Sequence, residues 1–161
     1  MDEERKPLSK IDRNILRILQ NNGRISYTDL AREVGLSVTP CIERVKRLER
    51  DGYITGYNAQ INPELVGAGL IVFVQIRLNH TSQENFEEFR DSVMHLDEVQ
   101  GCYLVSGNYD YLIKARVADM AAYRKLLGNR ILKLPAVQES TSYVVMEELK
   151  DSALVQVPYA R

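Results

Sequence analysis

The stretch Ser26–Gly52, SYTDLAREVGLSVTPCIERVKRLERDG, decides how the chain is read. Ser26 stands three residues before Asp29, the spacing of a capping box, and opens a helix. Leu30, Ala31 and Val34 supply its inward face at helical spacing. Gly35 falls where a sharp turn needs a residue that tolerates positive φ. Ser37 is placed to cap a second helix, with Pro40 in its first turn, where a missing N–H costs nothing. Ile42, Val45 and Leu48 form the expected buried stripe, and Val38, Thr39, Cys41, Arg44 and Arg47 lie opposite. Short polar groups followed by guanidinium forks suit a helix that enters a DNA major groove and holds phosphates beside it. The pattern is a helix-turn-helix. Its expected DNA-facing set is Ser26, Tyr27, Thr28, Ser37, Val38, Thr39, Pro40, Cys41, Arg44, Lys46 and Arg47.

A helix, a glycine turn and a helix also occur in ordinary αα-corners. Two features favour the DNA reading. Arg44, Lys46, Arg47 and Arg50 outnumber Glu43 and Glu49 on the second helix, although a solvated basic face is the common alternative. An earlier helix, residues 11–20, offers Ile11, Ile15, Leu16 and Leu19 as packing surface. Ser9 and Asp12 are spaced to cap that helix, and Asn21, Asn22 and Gly23 end it.

Composition narrows the class. The 161 residues, 45% hydrophobic and 27% charged, allow one or two ordinary globular domains. The apolar run Leu70–Val74 is far short of the roughly 20 residues of a membrane span. Met1–Lys10 is charged and lacks the apolar core of a signal peptide, so a cytoplasmic protein without membrane partners is expected. Cys41 and Cys102 read as reduced side chains. His80 and His95 have no Cys or His at ligand spacing, so no metal site is expected. Residues 1–60 sum to about +2 and residues 61–161 to about −3. That asymmetry assigns DNA to the first part and something else to the second. So little net charge binds DNA weakly as a lone module, and several copies acting together remedy this.

In chain order, Met1–Pro7 reads as a polar tail, and YITGYNAQIN (53–62) as a short strand or small wing. Asn62, Pro63, Gly67 and Gly69 mark a boundary. The domains are therefore 8–60, a linker 61–69, and 70–150. LIVFVQIRL (70–78) reads as a central strand. Thr81 and Ser82 open a helix to Leu96 with Phe86, Phe89, Val93 and Leu96 on one face. Val99–Gly107 is a second strand, and Tyr111–Val117 a third with strict alternation. Asp119 begins a helix buried through Met120, Tyr123, Leu127 and Leu134 and ended by Pro135. Residues 140–149 are the last strand, and the tail after Lys150 has no period. The order β-α-β-β-α-β predicts an α+β chain: a winged helix-turn-helix joined by a hinge strand to a ferredoxin-like domain. Helices cover one sheet face. If Val72, Val74, Leu112 and Val144 lie on the other, that face needs a partner.

Read together, IDRNILRILQNNGRIS, VGLSVTPCIERVKRLERDGYI, LVSGNYDYL and SYVVMEE make the chain resemble the Lrp/AsnC (feast/famine) transcription regulators over nearly its whole length. The resemblance is stronger to the leucine- and alanine-responsive branches than to the asparagine-responsive one. It implies sheet-paired dimers assembling into octamers or hexadecamers, with a small amino acid bound in clefts between dimers. One departure is Gly107-Asn108, where relatives often carry Gly-Asp.

That loop suits a zwitterion. Gly107 allows close backbone approach, and Asp110 is the expected partner of the ammonium. Leu104, Met120, Tyr143 and Val144 are candidates for the apolar lining. With Asn108, Tyr109 and Ser142 they complete the expected ligand set. The alternative is a hairpin whose Asn108 and Asp110 serve turn geometry alone. Three functions compete: a regulator of amino-acid metabolism that senses an amino acid (leucine or alanine favoured), an architectural protein that wraps DNA without sensing, and an enzyme. No nucleophile–base pair, phosphate loop or metal cluster supports the last, and no cofactor other than the effector is expected.

Overall fold

A computed structural model describes residues 7–79 and 82–158. The polar tail, Pro7 apart, and the expected roles of His80 and Thr81 lie outside them. The described residues form two compact units, one made of those within 1–60 and 151–161, the other of those within 61–150.

The first unit holds three helices: α1 (Lys10–Asn21), α2 (Tyr27–Val34) and α3 (Val38–Arg50). Ser9 and Asp12 make a reciprocal capping box at α1. Ser26 accepts from the Asp29 amide at α2, and Gly35 ends α2 in the left-handed region, at φ 71°. Ile15, Leu30, Ala31, Cys41, Val45 and Leu48 form the core. Two expectations are corrected here. Cys41 is wholly buried and Ile42 only half-buried, because 41, 45 and 48 share the stripe that faces α1 and α2. Ser37 occupies the cap position of α3 with extended backbone, but its side chain makes no capping hydrogen bond.

Residues 53–69 form no strand, so the hinge strand is absent from the described chain. A strand requires a ladder partner for its N–H and C=O groups, and the stretch pairs with none among the described residues. Residues 153–158, read only as aperiodic, belong to the first unit. Arg17 donates to the Val157 carbonyl, and the Gln20 amide both donates to and accepts from the Val155 backbone.

The second unit is β1 (Leu70–Leu78), α4 (Gln83–Val93), β2 (Val99–Leu104), β3 (Tyr111–Val117), α5 (Met120–Asn129) with a 3-10 turn at Ile131–Lys133, and β4 (Val137–Val144). The antiparallel order β2-β3-β1-β4 is that of the ferredoxin-like sandwich. Several boundaries differ from expectation. Helix α4 ends at Val93, β2 at Leu104 and α5 at Asn129, while β4 runs from Val137 to Val144 instead of 140–149.

Val72, Val74, Ile76 and Leu78 of β1 and Tyr111, Ile113, Ala115 and Val117 of β3 face the helices. Phe89 stacks on Tyr111 at a centroid distance of 4.4 Å, and Phe86 meets it edge-on at 5.9 Å. Val72 and Val74 therefore belong to the covered face, and Val144, opposite Val72, shares it. Only Leu112 of the four expected residues faces the open side, with Phe73, Tyr103 and Tyr143. In α5, Tyr123 and Leu126 are buried and Met120 is exposed, with Ile131 and Leu134 completing the core; Leu127 is only partly buried. Met120, Leu126 and Leu127 all stand at helical spacing from Tyr123, and packing against the sheet buries only Leu126 of the three.

Candidate nucleic-acid interface and effector region

The turn at Gly35 sets α3 so that its first residues Val38, Thr39 and Pro40 are exposed. Lys46 is exposed farther along the helix, and Ser26, Tyr27 and Thr28 are exposed at the start of α2. Eight of the eleven expected DNA-facing residues, Ser37 among them, are thus neither in the core nor in an ion pair with Asp12, and Cys41 leaves the expected set because it is wholly buried. Arg44 and Arg47 differ. They lie beside the buried carboxylate of Asp12, with Arg44 Nη1 2.9 Å from Oδ1 and Arg47 Nη2 2.8 Å from Oδ2.

Asp12 was legible in sequence only as a cap. Its carboxylate also accepts from the Ser9 amide at 3.0 Å and the Ser9 hydroxyl at 2.6 Å. Burial pushes its pKa up, but the Ser9 hydroxyl and amide, Arg47 and Arg44 outweigh burial and hold it down at about 2. The available signal was its place between Ile11 and Ile15, on the inward side of α1.

In the second unit, the expected ligand residues fall into separate groups. Asn108, Tyr109, Gln75, Arg77, Glu139 and Thr141 line a cavity of about 100 Å³. Arg77 donates through Nε to the Asn108 carbonyl at 3.0 Å and sits 3.3 Å from Glu139. Tyr143, on the same open face, donates to Gln75 at 3.4 Å. Ser142 faces the helices, where its hydroxyl meets that of Tyr123. Met120 opens α5 on that covered side, and Leu104 is exposed at the end of β2. One chain therefore does not gather Met120 and Tyr143 into one pocket.

Asp110 is more than a turn residue. Its Oδ2 accepts from the Leu78 amide at 2.7 Å, beside the register shift between β1 and β4, and its own amide donates to Ile76. Gly107 has φ 147° and open space where a Cβ would stand. Sequence reading missed Gln75, Arg77, Glu139 and Thr141. Period-two alternation along β1 already placed 75 and 77 on one face, but the approach of the 107–110 loop needed the sheet register. Among the described residues no His, Cys, Asp and Glu cluster could hold a metal, and no helix is long and apolar enough to cross a membrane.

Comparison with known proteins assigns both units. Residues 8–55 match the winged helix-turn-helix DNA-binding model, and residues 71–155 match the Lrp/AsnC ligand binding domain. The leucine-responsive regulatory protein of Klebsiella pneumoniae is 54% identical over 155 residues, 94% of each chain. That of Serratia marcescens is 56% identical over 147 residues, 91% of this chain and 90% of the other. Among solved structures, a transcriptional regulator of Neisseria meningitidis in complex with L-methionine superposes with a TM-score of 0.88. It is 34% identical, covering 93% of this chain and 97% of that one. AsnC of E. coli superposes at 0.84 with 26% identity, covering 92% and 99%. These relatives are regulators and not enzymes, and the chain belongs to the Lrp/AsnC family of transcription regulators.

Proposed function

We propose that the chain reads duplex DNA with the exposed start of α3 and that a small amino acid bound by the second unit alters that reading. One observation carries this: a helix-turn-helix with Val38, Thr39 and Pro40 bare is joined in one chain to an Lrp/AsnC ligand-binding domain. The leucine-responsive relatives and the L-methionine complex support leucine and methionine as the first effectors to try, with alanine tested beside them. Ser26, Tyr27, Thr28, Ser37, Val38, Thr39, Pro40 and Lys46 are the proposed contact surface, with Arg44 and Arg47 at its edge. The effector is proposed to meet the Gly107–Asp110 loop, with Met120 and Tyr143 supplied across a junction between chains.

The open sheet face supports pairing into a two-fold dimer, with octamers as the further assembly, in the cytoplasm. A site shared between dimers links ligand occupancy to assembly and hence to the spacing of the DNA modules. Paired modules then read half-sites about 34 Å apart or at multiples of that distance.

The test is an electrophoretic shift series over DNA sequence and salt, with and without each amino acid, beside calorimetric titration of the same amino acids. Thr39→Ala is expected to relax base preference by roughly 1–3 kcal/mol at one position. An effector is expected to change DNA affinity about 5- to 150-fold. Sequence-independent binding unaffected by any amino acid overturns the reading in favour of an architectural protein.

A further inference from the structure

Asp12 is the charged residue buried among the described residues, and it touches the recognition helix. Its carboxylate is locked to the first turn of α1: it accepts from the Ser9 amide and hydroxyl, while the Ser9 oxygen accepts from the Asp12 amide at 3.2 Å. A carboxylate so held cannot turn to follow its partners. Arg44 and Arg47 must come to it, one oxygen each. They stand three residues apart on α3, hence on one face. Their side chains remain 32% and 24% exposed, and a cleft lined by Pro7, Ser9, Pro40 and Glu43 opens beside them.

A guanidinium has five N–H donors in a rigid fork. The contacts with Asp12 employ Nη1 of Arg44, which also reaches the Ser9 hydroxyl at 3.4 Å, and Nη2 of Arg47, so each fork is oriented while its other donors take no part in those bonds. We infer that Asp12 is a positioning residue for DNA binding, aiming Arg44 and Arg47 at backbone phosphates beside the groove that α3 enters. This rests on the reading of α3 as the DNA-reading helix. Glu43, on the same cleft, limits the site to a phosphate approached from the arginine side.

Charge alone predicts the opposite sign for Asp12. An anion beside DNA repels phosphate, so its removal should tighten binding. Positioning predicts that removal weakens binding, because two arginines lose their common anchor.

The experiment titrates the full chain into a fluorescent duplex over a range of salt, for wild type, Asp12→Asn and Asp12→Glu, each well below its own melting temperature. The glutamate variant keeps the charge and displaces the carboxylate by one methylene, and it decides the matter if the asparagine variant does not fold. Expected for either variant is roughly tenfold weaker binding, the size of a lost charge-assisted bond, with the log–log salt slope shallower by about 1–2. Partial unfolding lowers the active fraction and leaves that slope unchanged, so weaker binding at an unchanged slope overturns the inference. Equal or tighter binding overturns it too. If wild type itself fails to bind DNA, the regulator reading falls as well, which separates the two failures.

Discussion

Asp12 shows how one residue serves two levels of the structure. As a cap it begins α1, and as a buried anion it joins α1 to α3. The Ser9 hydrogen bonds and the Arg47 and Arg44 guanidinium groups outweigh burial and hold its carboxyl at about 2, below the ordinary carboxylate range. The stability it contributes is therefore present above about pH 4 and lost as pH falls toward 2, on the order of 2 kcal/mol. Urea unfolding at pH 5 and pH 2.5 is expected to show that loss, and Arg47→Ala should reduce it. Arg47→Ala is also expected to destabilise the first unit by about 1–3 kcal/mol, since a buried carboxylate loses a donor. A deletion at Arg47 thus acts on folding as well as on phosphate contact. Its DNA binding has to be compared at matched folded fraction.

The elements show where local chemistry suffices. The turn between α2 and α3 depends on Gly35 at φ 71°, with nothing within 4 Å of a built Cβ. Gly35→Ala therefore meets no clash, and its cost is the left-handed backbone alone. A loss of about 1–2 kcal/mol is expected in thermal melts. At the other unit, Asp110→Ala is expected to remove an acceptor from the Leu78 amide and cost about 1–3 kcal/mol. A loss of effector response in that variant counts as a site effect only if calorimetry shows lost affinity in protein that remains folded. The strand alternation of β3 was legible because its polar positions, Lys114 and Arg116, are unambiguous. The period of α3 was not, because Cys41 and Ile42 are adjacent and both suit a core.

At the scale of the molecule, the open sheet face joins Phe73, Tyr103, Leu112 and Tyr143. Tyr103 and Tyr143 are 54% and 50% exposed, more than buried aromatic residues of a sheet would be. Light scattering is expected to find dimers at least. Leu112→Asp should raise the dimer dissociation constant roughly 30-fold or more, the scale of a lost apolar anchor. Wild-type monomers at micromolar concentration would remove the basis for a shared effector site.

Sequence by itself determined the helices, the sandwich strands and their order, but not their exact ends and not the stretch 53–62, which forms no strand. Caps, turns and apolar periods are local properties, and Ser9, Ser26, Gly35, Ser82 and Asp119 each occupy the predicted end of a helix. It also contained the family's motifs in both halves. Tertiary structure alone decided which face each strand residue takes, since alternation defines two faces without saying which one the helices cover. That is why Val72 and Val74 lie under the helices while Phe73 does not. It alone decided that Arg44 and Arg47 meet Asp12, more than 30 residues away. Charge counts register how many cations a helix carries, but a salt bridge depends on which distant carboxylate packing brings within reach.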